Sequence, residues 1–414
     1  MLMTSENKYK WAFSPRFRRK AFGWRSGPPI KRIKEALSEI KQVAAKDPIL
    51  GAEGAVLFLE KISGALENVD SSSGAIGAAV NGAIETLVPI IAAAPAQKKV
   101  REKWLERLWQ AVLADNIPYI ENLPYFWGDL CATPELASRW ADKFMEELKL
   151  YWKLDTKQYG FYKGTIGCLS ALFKAGRHQE ILELLSLARY KFWYERLWGV
   201  KALLAMGKRA EALRYAEETR GLNQPDDQIS EVCEAILLES GMADEAYRRY
   251  AFEANQRNTY LATFRAIVRK YPNKNPAEIL SDLVAATPGR EGKWFAAAKS
   301  AGLYDEAIRL AGFSSCDPKT LTRAARDMAE TRPGFAIEVG LAALKWMLQG
   351  YGYEIAAEDV RLACQSTIKA AKNAGEEKQT LNRIYDLLCE ELPKEPLVVK
   401  ALEDELKLYC EEEG

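Results

Sequence analysis

Met206-Gly207-Lys208-Arg209-Ala210-Glu211-Ala212 decides the fold, because it recurs. Gly176 is followed by Glu180-Ile181, Gly207 by Glu211-Ala212, Gly241 by Glu245-Ala246 and Gly302 by Glu306-Ala307. The gaps between these glycines are 31, 34 and 61 residues, and the last is close to two of the others. Each copy stands between two apolar-periodic runs, so the pattern is a helix–turn–helix unit repeated with a period in the low thirties. The cause is local. A glycine after the first helix takes the left-handed conformation that ends it without a Cβ penalty. Five residues on, alanine in three of the copies lets the second helix pass close to the first. Leu172, Leu203 and Leu237, each four residues before its glycine, fall on the packing face.

Outward from these copies, a further repeat fits Phe264, Ile267 and Val268, a Pro-Asn-Lys-Asn-Pro turn at 272–276, then Ile279, Leu280 and Leu283. A helical pair over about 318–350 and three closing helices over 356–412 follow. Upstream, Ile30, Ile33, Leu37, Ile40 and Val43 line one face of a helix that starts near Pro29 and closes at Lys46-Asp47-Pro48. Residues 49–95 are rich in small residues and form two helices separated by 68–74, with the serines there as caps for the second. Gly74, Gly77, Ala78 and Gly82 would allow close helix approach, and the run 74–95 is assigned to a packed hairpin instead of a membrane span, since it carries Asn81, Glu85 and Pro89. Two more helices lie within 97–155, the second opening at Thr133-Pro134-Glu135. Between them runs an aromatic loop with Tyr119, Tyr125, Phe126 and Trp127. No stretch alternates like a strand. The expected fold is an all-α, right-handed α-solenoid, divided into a basic aromatic arm (1–29), an N-terminal helical domain (30–155), a repeat array (156–350) and a C-terminal helical cap (351–414).

The four glycine copies resemble tetratricopeptide repeats, whose glycine and following alanine occupy the same relative positions. The likeness covers about 150 residues, roughly a third of the chain. The early tryptophan and closing proline of that family are mostly absent here, which leaves HEAT-like arrays open as a related architecture. The N-terminal half is similar to uncharacterised bacterial helical proteins. The resemblance implies a concave surface that binds a partner's peptide or helix, and implies no catalysis.

Composition agrees with a folded, soluble protein: 414 residues, 48% hydrophobic, 28% charged, net charge +1. The charge is unevenly spread. Residues 1–41 carry eleven basic and three acidic side chains, while Glu411-Glu412-Glu413 precede the final Gly414. Seven scattered cysteines without a C-x-x-C pair read as reduced, buried thiols. With no apolar leader segment, a cytoplasmic location is expected.

The arm holds the sharpest local signal. Lys8, Lys10, Arg16, Arg18, Arg19, Lys20 and Arg25 alternate with Trp11, Trp24 and four other rings, the ingredients of phosphate neutralisation and base stacking. The same rings could instead dock on the first helices. A second cluster joins Phe192, Trp193, Tyr194 and Trp198 to Arg189 and Arg196, which is hot-spot chemistry or inter-repeat core. His178, the single histidine, sits at a variable turn position and reads as exposed and incidental. Thr287-Pro288-Gly289-Arg290-Glu291-Gly292-Lys293-Trp294 superficially matches a phosphate loop, but it lacks the first glycine and has tryptophan in place of Ser or Thr. It reads as an inter-helix turn, with a helix end that could hold an anion. Asp226, Asp227 and Glu231 read as helix capping. No metal or cofactor is expected.

Three functions follow. The first is a non-enzymatic scaffold holding a protein partner in its groove. The second is a nucleic-acid-binding protein that uses the arm, in bacterial genome maintenance or defence. The third is a helical-repeat enzyme, such as a DNA glycosylase, with Glu121 or Asp129 in a ring-lined pocket. Self-association through the acidic C-terminal run is a minor expectation.

Overall fold

The computed structural model describes residues 9–153, 162–188, 190–221, 224–390 and 394–411. Among them are twenty-one α-helices, three short 3-10 turns and no strand, as the helical periodicity requires. Lys8, Arg189 and residues 412–414 lie outside the described residues. The chain forms two compact units, Met1–Pro225 and Asp226–Gly414. The division falls inside the stretch expected to form one array.

The first unit contains α1 (Gly27–Ala44), α2 (Pro48–Ala65), α3 (Ala75–Ala93), α4 (Lys98–Ala114), the short α5 (Trp127–Cys131), α6 (Pro134–Lys153), α7 (Thr165–Lys174), α8 (His178–Ser186), α9 (Trp193–Ala205) and α10 (Arg209–Glu217). Proline with a side-chain cap starts two of them. Asp47 accepts from Ile49 N and Leu50 N ahead of Pro48, and Thr133 Oγ1 accepts from Leu136 N ahead of Pro134. Asp47-Pro48 thus opens α2 rather than closing α1.

α3 is long and apolar enough to cross a membrane, but its buried stripe (Ile76, Val80, Ile84, Leu87 and Ile91) packs on α1, α2 and α5. Two expectations about α3 fail. Its cap is Gly74 itself, with φ +71, and Ser73 Oγ only reaches Ala75 N at 3.4 Å. Gly74, Gly77 and Gly82 have nothing within 4 Å of a built Cβ, so they permit no close approach. The close approach lies one helix earlier, where a Cβ on Gly54 of α2 would meet the Trp11 ring at 2.2 Å.

That contact belongs to the arm. Trp11, Phe13 and Phe17 are buried, and Phe13 and Phe17 set their rings 5.7 and 5.1 Å from Phe58 of α2. Glu39 of α1 accepts from the backbone N–H groups of Ala12 and Phe13, which satisfies the arm's main chain where it lies on the helices.

The second unit contains α11 (Asp226–Glu239), α12 (Ala243–Ala254), α13 (Tyr260–Lys270), α14 (Pro276–Ala285), α15 (Phe295–Ser300), α16 (Tyr304–Phe313), α17 (Pro318–Met328), α18 (Pro333–Leu348), α19 (Ala357–Ala374), α20 (Glu377–Cys389) and α21 (Pro396–Glu411). Here α13 packs on α14 and α15, and α17 packs on α18 and α19. In these two places a first helix meets its own partner and the next first helix, the contact rule of a stacked repeat. The expected repeat at 264–284 is α13 and α14, and the closing helices are α19, α20 and α21.

The recurring turn has one geometry in both units. Gly176, Gly207, Gly241 and Gly302 have φ between +73 and +76. The residue after each glycine donates to the carbonyl five back: Arg177 to Leu172, Lys208 to Leu203, Met242 to Leu237 and Leu303 to Ala298, at 2.9–3.0 Å. This is the Schellman closure, in which the left-handed glycine lets the chain satisfy the last carbonyls of the helix. Five residues after each glycine, Ile181, Ala212, Ala246 and Ala307 are fully buried. Gly375 repeats the turn with φ +72, a Glu376-to-Ala371 bond of 2.9 Å and buried Thr380 at the fifth position. Of the six cysteines whose side chains are described, five are buried, and Cys389 is exposed.

Candidate functional site

A concavity with a volume of about 1050 Å³ lies within the first unit. Its walls come from four places in the chain. α3 contributes Asn81, Ile84 and Glu85. The aromatic loop and α5 contribute Asn122, Tyr125, Phe126 and Asp129. α7 and the start of α8 contribute Phe173, Lys174 and His178, and α9 contributes Trp198 and Lys201.

Local hydrogen bonds hold the loop in place. Ser170 Oγ donates to Tyr125 O at 2.9 Å and accepts from Gly128 N at 3.0 Å, fastening the loop to α7. Gly128 is required there, because a Cβ would stand 2.5 Å from Ser170 O. Asn122 Nδ2 donates to Asn81 Oδ1 at 3.0 Å and ties the loop to α3. Behind it, buried Arg101 donates to Ile91 O and Ala94 O at the end of α3 and to Leu130 O of α5. These bonds tie the loop, α3, α5 and α7 together around the groove.

Its rings are only partly covered. Tyr125, Phe126 and Phe173 are half-buried, and Phe173 stands 5.9 Å from Trp198 and 5.1 Å from the His178 ring. Lys174 Nζ is 3.7 Å from Asp129, and Lys201 Nζ lies 4.3 Å over the Trp198 ring. Desolvation lowers the Lys201 amine, and Asp129 opposes that shift. Burial also raises the Tyr125 hydroxyl, with the charges of Glu121 and Glu195 adding to it. Glu195, on α9 three residues before Trp198, is 5% exposed, and its Oε2 has no hydrogen-bond partner. Burial pushes its carboxyl up to about 7.

The sequence-derived candidates are distributed unevenly over this structure. Asp129 is in the groove and Glu121 is exposed outside it. His178 is not an exposed incidental side chain: it lines the groove, half-buried, with Nδ1 enclosed and lacking a partner. Arg196 is buried. It stacks 3.4 Å over Tyr215 and donates to Thr219 Oγ1 and Tyr215 O, pinning α9 to the end of α10. Trp11 is spent on Gly54, so its ring is not available for stacking on a base. Arg16 pairs with Glu35, and Arg19 and Lys20 pair with Glu67. Lys10, Arg18, Arg25 and Trp24 remain exposed, Trp24 at 72%. Thr287–Trp294 is an inter-helix turn, closed by a Gly289 N–H to Glu291 bond of 2.8 Å.

No protein-family model matches this chain, and no curated protein matches it. Among solved structures it is similar to a chain of the crystal structure of the APC/C hetero-tetramer Cut9–Hcn1, with 14% identity over 86% of this chain and 76% of that one. The TM-score is 0.20, and that likeness carries no inference here. The all-α repeat architecture stands on the helices and turns described above.

Proposed function

We propose that this chain is a non-enzymatic helical-repeat scaffold that binds an extended segment of a protein partner in the groove of its first unit. One observation carries the proposal: Tyr125, Phe126 and Phe173 present partly uncovered rings beside Trp198 on a rigid, hydrogen-bonded frame. Covering the part of such a ring that is still exposed is worth about 1 kcal/mol, and aromatic anchors in a concave surface dominate binding energy. The half-used carboxamides of Asn81 and Asn122 can hold a main chain, and Lys174, Lys201, Asp129 and Glu85 set its charge register.

The test places a photo-crosslinking residue at position 126 or 201 of the full chain in its native cells, with exposed Leu113 as the position outside the groove. A discrete protein adduct at 126 and 201, absent at 113, is the expected result. Adducts with nucleic acid, or the same pattern at all three positions, would overturn it. Once the partner is in hand, Phe173→Ala should weaken its binding at least tenfold.

A second reading rests on exposed Trp24 beside Arg25, with Lys10, Arg18, Lys31 and Lys34 free of ion pairs among the described residues. It is nucleic-acid binding by the arm. Steep salt dependence, lost when Arg18, Arg25, Lys31 and Lys34 become alanine, would support it. Unchanged affinity in that variant would remove it.

A further inference from the structure

A second cavity, of about 440 Å³, opens within the other unit, in the size range of a small-ligand site. It lies between the loop that leads into α13 and the turn that follows α14. Into it come the arginine, the threonine and the tryptophan of the stretch that superficially matched a phosphate loop: Thr287, Arg290 and Trp294. Arg257 enters from the other side.

Among the described residues neither arginine is in an ion pair, and the one bond made by the Arg257 guanidinium goes to the Gln256 carbonyl at 3.0 Å. The frame around them is fixed. Thr263 Oγ1 accepts from Arg257 N at 2.9 Å, and Trp294 Nε1 donates to Thr287 Oγ1 at 2.7 Å. Tyr260 meets Trp294 edge-on at 4.7 Å, so the half-buried Tyr260 ring, backed by the buried Trp294, is the apolar wall open to the cavity. Thr259 and Tyr260, the cap and first residue of the eleven-residue α13, also line the cavity, so the positive end of that helix is close by. The single carboxylate in the lining, Glu253, takes a hydrogen bond from the Ser230 hydroxyl.

We propose that this cavity binds a phosphate monoester, with Arg257 and Arg290 on the phosphate and the Tyr260–Trp294 wall on the organic group. Two guanidinium forks match a dianion in charge and in bidentate geometry, better than they match a single carboxylate. The ring wall beside them distinguishes an ester from inorganic phosphate. The ester comes either from a free small molecule or from a phosphorylated side chain of a partner protein. The site is separate from the groove of the first unit and stands whether or not that groove holds a peptide.

The test is calorimetric titration of the full chain, at about 150 mM salt, with inorganic phosphate, phenyl phosphate, and a phosphotyrosine peptide alongside its unphosphorylated form. Phenyl phosphate should bind saturably and more tightly than inorganic phosphate. Arg257→Gln and Arg290→Gln should each weaken it about tenfold or more, the scale of a lost charge-assisted hydrogen bond. Arg257→Lys, which keeps the charge and loses the fork, should fall between. A phosphopeptide that binds more tightly than phenyl phosphate assigns the ester to a partner protein, and equal or weaker binding assigns it to a small molecule. No binding by any ester, or binding that both glutamine variants leave unchanged, would overturn the proposal. Both arginines are exposed, so thermal unfolding of the variants should match the parent and exclude misfolding as the cause.

Discussion

Glu195 in the first unit and Glu234 in the second are both buried, and the two are treated in opposite ways. Glu234 in the second unit is fully enclosed, and its oxygens accept from Tyr271 at 2.6 Å, Asn255 at 2.8 Å and Lys270 at 2.5 Å. Those four residues join α11, the end of α12 and the end of α13 into one saturated network. Glu195 in the first unit has an oxygen without a partner and is held partly protonated by burial alone. The difference separates a carboxylate that serves the fold from one the fold tolerates at a cost. The tolerated one stands beside the ring-lined groove, where local rules are commonly broken for function.

The largest effect should come from breaking the saturated network. Glu234→Ala removes the carboxylate shared by Lys270, Tyr271 and Asn255, leaving Asn255 only the Ala251 carbonyl, and should destabilise the second unit by about 3–5 kcal/mol. The readout is its urea transition, followed by hydrogen exchange of peptides from α11 to α13.

Glu195→Gln should have the opposite sign. The folded carboxyl titrates near 7 against an ordinary 4.5, so the unfolded chain loses this proton first as pH rises. The native state then binds more protons than the unfolded one between about 4.5 and 7, and stability falls across that window. Above it the cost is constant, of order 3 kcal/mol for the full shift. The glutamine variant should therefore be more stable than the parent above pH 7 by up to about that amount. Below pH 4.5, where both forms of the parent are protonated, it should gain nothing. A parent chain with no decline in first-unit stability over this window would remove Glu195 as the cause.

Glycines sharpen the comparison further. Gly241→Ala, at φ +74, should cost about 1–2 kcal/mol. Gly82→Ala, in the middle of α3 with open space around it, should stabilise by about 0.5–1 kcal/mol. Thermal midpoints of the two variants should move in opposite directions. The smallest effect belongs to the arm's surface pairs. Arg16 and Glu35 are both well exposed, and Arg16→Ala should cost no more than about 1 kcal/mol.

Repeat turns were readable because their chemistry is local: a left-handed residue and a small residue five positions later are both written within six letters. Gly375 escaped because Gln379 stands where the four other copies have glutamate, and threonine follows where three of them have alanine. Long-range contacts were not readable. Nothing around Arg196 announces Tyr215, 19 residues on, and an Arg among rings looks the same whether it is core or surface. The aromatic loop was legible as a cluster. Its role as a groove wall depends on Ser170, more than forty residues away. In α3, small residues suggested tight packing, whereas the real close contact paired Gly54 with a tryptophan from the arm, which no helical period encodes.

That seat of Trp11 on Gly54 has a consequence for synthesis. The rings that cover α2 lie before it in the chain, so they leave the ribosome first. When Phe58 emerges, Phe13 and Phe17 are already outside to cover it, and the apolar end of the first helices need not wait for later repeats. The order of the chain thus lets the first unit be sealed at one end while the rest is still being made.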